Sequence, residues 1–197
     1  MEEFRFNILL LGDSNVGKTS LIKRFIKNKF DSNDSSTVGL EFENKKVKIN
    51  DKIIQLNIMD TAGQEKYRAI AKNAVKRANG IIFVFDLNNK ESFNNIKYWL
   101  MSSFEISNNF HKIFVGNKYD LDKEVDEDKV QKLIEEYKSR YFETSAKDGK
   151  NVELIFKEIA ELILSGLSDK EINDNNIKIT PKSANKNSKN KKNCCNK

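Results

Sequence analysis

The sequence predicts an α/β domain built around a mostly parallel sheet. Apolar runs of strand length, such as residues 8–11 and 81–85, alternate along the chain with segments whose apolar residues recur at helical spacing. A run that is apolar throughout is typical of a strand buried on both faces, as strands of a parallel sheet are. The alternation continues to about residue 164, so one such domain accounts for most of the chain.

The order of elements follows from these patterns. We predict strands at 4–11, 41–49, 53–59, 80–86, 112–116 and 141–144. We predict helices at 19–27, in the later part of 61–78, and at 90–106, 126–138 and 151–164. The half-polar composition of 41–49 indicates an edge strand, joined by a turn at 50–52 into an antiparallel hairpin with the next strand. Trp99 lies on the apolar face of helix 90–106, so we expect it in or partly in the core and not as a platform for a ligand.

Charge and composition divide the chain into a domain, 1–167, and a tail, 168–197. The formal net charge is +6, but residues 178–197 contain seven lysines and no acidic residue, which leaves 1–177 at about −1. The domain is therefore not basic, and we expect no nucleic-acid partner. The tail is rich in Asn, Lys and Ser and has too little apolar surface to fold, so we predict that it is disordered.

Cysteine and histidine usage excludes several classes of site. Cys194 and Cys195 are the chain's two cysteines, and because they are adjacent they cannot cross-link the fold. This usage favours a cytosolic protein, and we see neither a signal peptide nor an apolar run long enough to span a bilayer. His111 is the single histidine, predicted to be solvated in a loop, so a histidine triad or a His–Cys metal cluster is excluded.

Residues 12–19 read G-D-S-N-V-G-K-T, which fits the phosphate-loop pattern G-x-x-x-x-G-K-[ST]. The segment lies between a predicted strand and a predicted helix, as a phosphate loop must. In such a loop Lys18 reaches the β- and γ-phosphates, and the Thr19 hydroxyl binds Mg²⁺. An ordinary strand-to-helix turn is the alternative, but it requires neither the lysine nor the hydroxyl.

Further polar segments follow other predicted strands, where open α/β sheets bind ligands. After the third strand, Asp60 is suited to Mg²⁺, Gly63 to a γ-phosphate contact and Gln64 to orienting a water molecule. The alternative is a turn with a helix-capping aspartate. Between the phosphate loop and this segment in chain order, the Thr37 hydroxyl is a second candidate for Mg²⁺.

The segments 117–120 (N-K-Y-D) and 144–147 (T-S-A-K) are candidates for binding a base. The Asp120 carboxylate could accept hydrogen bonds from N1–H and the exocyclic amine of guanine, a pair of donors that adenine lacks. The Lys118 stem could lie along the base, and the Ala146 amide could meet the base carbonyl. Phe30 could cover the face of the base. Each segment alone also suits an ordinary polar turn.

Taken in this order, these segments resemble those of small GTPases of the Ras superfamily, and more narrowly of Rabs. Residues 36–42, 80–86 and 91–97 are similar to Rab segments, and the double cysteine near the end resembles a Rab terminus. The resemblance implies a P-loop NTPase G domain, with a six-stranded sheet of which five strands are parallel, flanked by about five helices. It also implies geranylgeranyl groups on Cys194 and Cys195.

The resemblance assigns roles by position. It implies Gln64 and Lys18 as catalytic residues, Mg²⁺ ligands at Thr19, Thr37 and Asp60, and an effector region comprising Thr37, Val38, Gly39, Leu40, Glu41 and Phe42. The implied GTP-binding residues are Gly12, Asp13, Ser14, Asn15, Val16, Gly17, Lys18, Thr19, Ser20, Phe30, Thr37, Asp60, Gly63, Asn117, Lys118, Asp120, Ser145, Ala146 and Lys147.

The implied function is that of a membrane-anchored switch in vesicle traffic, which slowly hydrolyses GTP and recruits effectors in the GTP state. The implied partners are an exchange factor, a GTPase-activating protein, effectors, a prenylation escort and a GDP-dissociation inhibitor. We expect the protein on the cytoplasmic face of membranes, and in the cytosol when extracted in the GDP state. The alternatives are a GTP-binding scaffold with negligible turnover and, less favoured by segment 117–120, a P-loop ATPase or nucleotide kinase.

Three positions depart from the Rab pattern. Met59 stands where Rabs usually have Trp. Ala74 begins the segment 74–78, which in Rabs usually reads Tyr-Tyr-Arg-Gly-Ala. Phe42 retains the third aromatic position of the effector surface. Asp34 replaces an aromatic residue that often covers the γ-phosphate. We therefore expect switch I, the segment around 30–37, to be held less tightly in the GTP state. The departures leave the nucleotide chemistry unchanged and put the identity of the effectors in doubt.

Overall fold

The computed structural model describes residues 3–31, 40–61 and 68–167, which form a sheet with helices on both faces. The strands are β1 (Glu3–Leu11), β2 (Leu40–Ile49), β3 (Lys52–Thr61), β4 (Gly80–Asp86), β5 (His111–Asn117) and β6 (Arg140–Glu143). The helices are α1 (Lys18–Lys27), α2 (Arg68–Arg77), α3 (Lys90–Asn94), α4 (Ile96–Phe104), α5 (Glu127–Tyr137) and α6 (Val152–Gly166).

The sheet has the strand order β2-β3-β1-β4-β5-β6. All neighbouring strands are parallel except β2 and β3, which form an antiparallel hairpin around a turn at Asn50. Asn50 has φ of 52°, a left-handed conformation that asparagine tolerates better than most residues. The predicted sheet, its hairpin and the edge position of β2 are therefore confirmed.

The apolar runs become the centre of the sheet. Every residue of β4 is buried, as expected for a strand covered on both faces. On one face the core is closed by α1 and α6, where the rings of Phe25 and Phe156 stack with centroids 4.1 Å apart. On the other face it is closed by residues of α2, α4 and α5.

One predicted helix differs from the structure. The segment predicted as one helix, 90–106, consists of α3 and α4, which are separated at Asn95. The described part of the chain therefore has six helices where five were predicted. The turn geometry at Asn95 keeps a bond from its N–H to the Glu91 carbonyl. His111 was predicted to lie in a solvated loop, and this is wrong: it is the half-buried first residue of β5, and a Cβ added at Gly166 would lie 2.5 Å from its ring.

Candidate nucleotide-binding site

The polar segments predicted from the sequence meet at one edge of the sheet. Because β1, β3, β4, β5 and β6 are mutually parallel, their carboxyl ends lie on the same side. The phosphate loop follows β1, Asp60 lies near the end of β3, and the segments from Asn117 and Thr144 follow β5 and β6. Long-range hydrogen bonds join these segments to one another, as described below.

The phosphate loop depends on two glycines. A Cβ added at Gly12 would lie 2.0 Å from the Val84 carbonyl oxygen, and one at Gly17 would lie 2.3 Å from the Asn117 amide nitrogen. Gly17 also has φ of 94° and is the N-cap residue, directly before α1. Side chains are excluded there, so the loop can pass close to β4 and β5 and lead directly into the N-terminus of α1, an anion-binding position.

Lys18 lies folded back into this loop. Its side chain is only 5% exposed, and its Nζ donates to the Gly12 carbonyl at 2.8 Å and to the Asp13 carbonyl at 2.6 Å. Burial lowers the pKa of this ammonium to about 8, while the nearby Asp60 and Asp13 carboxylates oppose the shift. A buried ammonium beside loop amides is suited to a polyphosphate, whose negative charge offsets the cost of burial.

The Thr19 hydroxyl donates to Asp60 Oδ2 at 2.5 Å, and both residues were predicted to bind Mg²⁺. Next to Asp60, the Thr61 hydroxyl donates to the Leu10 carbonyl at 2.9 Å, which fixes the end of β3 against β1. A hydroxyl and a carboxylate are the oxygen donors that a hard divalent cation takes. The described residues contain no group of three or more His, Cys, Asp or Glu side chains able to hold a metal.

Asn117 connects the phosphate loop with the two segments predicted to bind a base. Its amide nitrogen donates to the Val16 carbonyl at 2.9 Å. Its amide oxygen accepts from the Thr144 hydroxyl at 3.1 Å and from the Ala146 N–H at 3.3 Å. The side chain is 1% exposed, so these bonds are shielded from water. The Ala146 amide, predicted to meet the base carbonyl, therefore contacts Asn117 through its N–H.

Asp120 is held in place from the neighbouring segment. Its Oδ1 accepts from the Ser145 hydroxyl at 2.7 Å, and its Oδ2 lies 3.6 Å from Lys147 Nζ. Ser145 is fully buried, whereas Lys147 is exposed. The carboxylate is thus oriented by a fixed hydroxyl, as a group that must read the edge of a base requires.

Asp86 was not singled out from the sequence, although it lies in this site. Lys118 Nζ forms an ion pair with Asp86 Oδ2 at 2.7 Å, and the Lys118 side chain is one-third exposed. Asp86 is the last residue of β4 and is paired with Asn117 in the sheet register. Its position after an apolar run is the sequence signal that could have found it.

Arg24 is a second residue that sequence reasoning missed. From α1, its Nε donates to the Ala146 carbonyl at 2.7 Å, and its Nη2 donates to the Lys147 carbonyl. A planar guanidinium suits two successive carbonyls. Arg24 therefore ties the helix that follows the phosphate loop to the segment predicted to bind a base.

Trp99 and Asn95 also contact the phosphate loop, from the side of α4. The Trp99 indole N–H donates to Asp13 Oδ1 at 2.7 Å, and the Asn95 amide donates to Asp13 Oδ2 at 2.8 Å. The prediction that Trp99 lies beside the core is confirmed, since it is half-buried and packs against the apolar cluster. The contact of its indole N–H with Asp13 was not foreseen from the sequence.

The three positions that carry aromatic residues on the effector surface of Rabs differ in exposure here. Phe42 is 65% exposed on the edge strand β2, whereas Met59 and Ala74 are 3% and 2% exposed. Met59 is paired with Phe42 in the hairpin register. A single aromatic side chain of the three predicted positions therefore reaches the surface in the part of the chain described.

Several predicted residues have other placements or lie outside the description. Ser14 and Asn15 of the phosphate loop are exposed, and so is Phe30, which follows α1. The predicted residues that lie outside the described ranges are Asp34, Thr37, Val38, Gly39, Gly63, Gln64, Cys194 and Cys195; the Leu40 side chain is likewise not described.

The fold and the arrangement at this edge define a Ras-type G domain. In agreement, a Ras family profile matches residues 7–165. Ras-related protein RABE1e of Arabidopsis thaliana is 40% identical to this chain, over 98% of this chain and 93% of the relative. GTP-binding protein yptV2 of Volvox carteri is 40% identical over 84% of this chain and 78% of its own length. Ras-related protein Rab-8B of Homo sapiens is 38% identical over 88% and 85%.

The chain belongs to the Ras family, as a Rab-type small GTPase, and it hydrolyses GTP to GDP and phosphate. The predicted family, fold and enzyme class are thereby confirmed. Among the described helices, none combines the length and the hydropathy that crossing a membrane requires.

Proposed function

We propose that this protein is a membrane-anchored guanine-nucleotide switch that regulates vesicle traffic and binds GTP and GDP at the carboxyl edge of the sheet. The observation that carries the proposal is the set of bonds at Asn117, which joins the phosphate loop to both segments of the base site. One buried side chain thereby sets the spacing between the phosphates and the base, which is what recognition of a whole nucleotide demands.

The phosphates lie against the loop at 12–19, with Lys18 and the N-terminus of α1 facing them. Thr19 and Asp60 fit an Mg²⁺ ion through their oxygens, and Thr37 adds a further hydroxyl. When bound, the ion neutralises charge on the β- and γ-phosphate oxygens. Lys18 shares that task, since its ammonium is held beside the carbonyls of the phosphate loop at 2.6–2.8 Å.

The base is guanine in this proposal. Asp120 accepts from N1–H and the exocyclic amine, and the Ser145 bond at 2.7 Å holds its carboxylate in one orientation. An adenine nucleotide would offer that carboxylate no donor pair from the base, which costs binding energy because the acceptor loses water there without a replacement. Lys118, held by Asp86, lies along the base, and Lys147 borders it.

Gln64 orients the attacking water in the hydrolysis step, and Lys18 stabilises the charge that develops on the γ-phosphate. Turnover is slow without a partner, because transition states of this kind depend on an arginine that an activating protein inserts. Such a residue contributes roughly 10³–10⁵ in rate.

The GTP state is read through segments that the γ-phosphate orders. Thr37 and Gly63 are tethered to it directly or through the metal, and hydrolysis releases both. Effectors bind the region Thr37, Val38, Gly39, Leu40, Glu41 and Phe42, where Phe42 offers an exposed aromatic ring. An exchange factor and an activating protein set the balance of states, and a GDP-dissociation inhibitor extracts the GDP form to the cytosol.

The anchor lies in the tail, 168–197, separate from the G domain, 1–167. A prenylation escort presents Cys194 and Cys195 for lipidation, since two lipid chains hold a protein on a membrane where one does not. Nearby lysines add up to ~1 kcal/mol each on an anionic surface. Replacing both cysteines by serine should move a tagged protein from membranes to the cytosol. Retention of that variant on membranes would contradict the anchor.

Single-turnover GTP hydrolysis tests the switch against the scaffold that turns over negligibly. We expect slow release of phosphate from the purified protein, acceleration by cell extract, and loss of that acceleration in Gln64→Leu. Glu161→Gln, a change on the exposed face of α6, is the matched control and should respond like the wild type. Acceleration that persists in Gln64→Leu would refute the role of Gln64, and an absence of acceleration in the wild type would favour the scaffold.

A further inference from the structure

The Asp13 carboxylate accepts hydrogen bonds from two side chains at the N-terminal end of α4. Each oxygen accepts one hydrogen bond, Oδ1 from the Trp99 indole at 2.7 Å and Oδ2 from the Asn95 amide at 2.8 Å. Asn95 and Trp99 are one helical turn apart, and the backbone N–H of Trp99 donates to the backbone carbonyl of Asn95 at 3.2 Å. Both donors therefore come from one rigid turn and reach the phosphate loop across 82 and 86 residues of sequence.

The same residue also holds the lysine of the loop. The Asp13 backbone carbonyl accepts from Lys18 Nζ at 2.6 Å, so Asp13 contacts α4 through its side chain and Lys18 through its main chain. Hydrogen bonds to an ionised carboxylate are roughly twice as strong as neutral ones, and both of these are partly shielded from water. Movement of the loop away from α4 would break them both.

Packing of Trp99 aims its polar atom. The indole is half-buried against the apolar cluster that includes Ile96 and Leu100, and it meets the Tyr98 ring edge-on at 5.9 Å. The apolar part of the ring is thus fixed by the core, and the N–H is left facing Asp13. A phenylalanine could fill most of the same space, but it has no N–H to donate.

We propose that Asn95 and Trp99 are positioning residues that hold the phosphate loop through Asp13 and thereby slow the release of nucleotide. The inference rests on the proposed nucleotide site. We call these two hydrogen bonds to Asp13 the tether. Without the tether, the loop exchanges between open and closed forms, and the apparent affinity for nucleotide falls in proportion to the population of the closed form. Neither residue touches the nucleotide in this account; each acts through Asp13.

Trp99 is also the single tryptophan among the 197 residues. The chain therefore has one indole N–H signal in a proton–nitrogen correlation spectrum, and that signal reports the bond to Asp13 directly. The signal can be read with or without nucleotide. Failure of the tether can thus be told apart from failure of the nucleotide site.

The experiment measures the release of fluorescently labelled GDP into excess unlabelled GDP with Mg²⁺ present, for the full chain. Trp99→Phe removes one donor without a change of charge. We expect release to become about tenfold faster, the equivalent of ~1.4 kcal/mol. Met101→Leu, an exposed position on the same helix, is the control and should leave the rate unchanged.

A paired exchange tests the bond to Asn95. Asn95→Asp places a carboxylate opposite a carboxylate and should speed release by about tenfold, whereas in Asp13→Asn the two facing amides can still bond once Asn95 turns its oxygen inward, so release should change less. The double variant reverses donor and acceptor at the original total charge, and it should restore release to within about threefold of the wild type. A residue with only a general structural role would show no such restoration.

Two results would overturn the tether. One is an unchanged release rate in Trp99→Phe, and the other is a double variant that releases nucleotide at least as fast as Asn95→Asp. Asp13→Ala should also shift the indole N–H signal, and a signal that stays in place would contradict the contact itself. A wild-type chain that binds no GDP would refute the nucleotide site, while the indole signal would still decide whether the contact exists.

Discussion

The Thr19 hydroxyl lies 2.5 Å from Asp60 Oδ2, which joins the first turn of α1 to the end of β3. Two oxygens that were far apart in sequence are thus brought to one point beside the phosphate loop. Because Lys18 immediately precedes Thr19, the ammonium and this hydroxyl come from the same turn of α1, while the carboxylate comes from β3.

Thr19→Asn should make nucleotide retention independent of Mg²⁺. The hydroxyl that donates to Asp60 is replaced by a larger amide, so the oxygen site for the cation is lost, and we expect GDP to leave at least about tenfold faster. Release is measured with Mg²⁺ and again after chelation. Thr19→Ser keeps the hydroxyl and should respond to chelation like the wild type. Equal acceleration by chelation in Thr19→Asn and in the wild type would contradict the assignment.

Phe42 and Met59 should separate partner binding from stability. Phe42→Ala removes an exposed ring, so the free energy of unfolding should change by less than about 0.5 kcal/mol, while capture of partners by the GTP-loaded protein weakens. Met59→Ala empties a buried position and should cost ~2–5 kcal/mol. Urea unfolding and pull-down from extract measure the two effects. Full partner capture by the Phe42→Ala protein would place the effector surface elsewhere.

Ionisation of the Tyr141 phenol should lower the free energy of unfolding at alkaline pH. Burial is the main cause that raises the pKa of its phenol, and the Glu143 carboxylate adds to the shift. Both the folded and the unfolded phenol are neutral below pH 10, so this contribution is fully present there. Above pH 10 only the unfolded phenol ionises, and stability falls with a limiting slope of about 1.4 kcal/mol per pH unit.

Tyr141→Phe removes this titration, so its unfolding free energy should fall less steeply than that of the wild type between pH 10 and 11. Urea unfolding at pH 9, 10 and 11 measures both slopes. Parallel slopes would show that the phenol is not shielded in the folded state. The position concerns the site as well, since a Cβ added at Gly116, just before Asn117, would lie 2.8 Å from the Tyr141 hydroxyl.

Much of this architecture could be read from local pattern. The all-apolar composition of 81–85 predicted a buried strand, and β4 is buried along its whole length. The helix predicted at 126–138 is α5 with both caps: Asp126 accepts from the Asp128 N–H, and Lys138 has a left-handed conformation. Order along the chain also placed the phosphate loop and the base segments on one edge, because parallel strands allow no other arrangement.

The contacts between the segments could not be predicted in this way. The bonds of Arg24 to the 146–147 carbonyls and of Trp99 to Asp13 join residues 86 to 123 positions apart. Each partner alone suits a helix surface or a core, and periodicity cannot indicate which atom of a half-buried side chain faces a distant loop. The break at Asn95 was missed for a related reason, since its side chain serves the tertiary contact with Asp13 in a stretch that otherwise reads as one helix.

The guanine preference assigned to Asp120 is tested most directly by exchanging its carboxylate for an amide. In wild-type protein we expect GTP and GDP to displace labelled GDP while ATP and xanthosine triphosphate do not. Asp120→Asn turns one acceptor into a donor, so GTP should bind about 10²-fold more weakly or worse. Xanthosine triphosphate should gain affinity, because its C2 carbonyl accepts where guanine donates. Displacement by ATP in the wild type, or unaltered GTP affinity in Asp120→Asn, would contradict a guanine site built on Asp120.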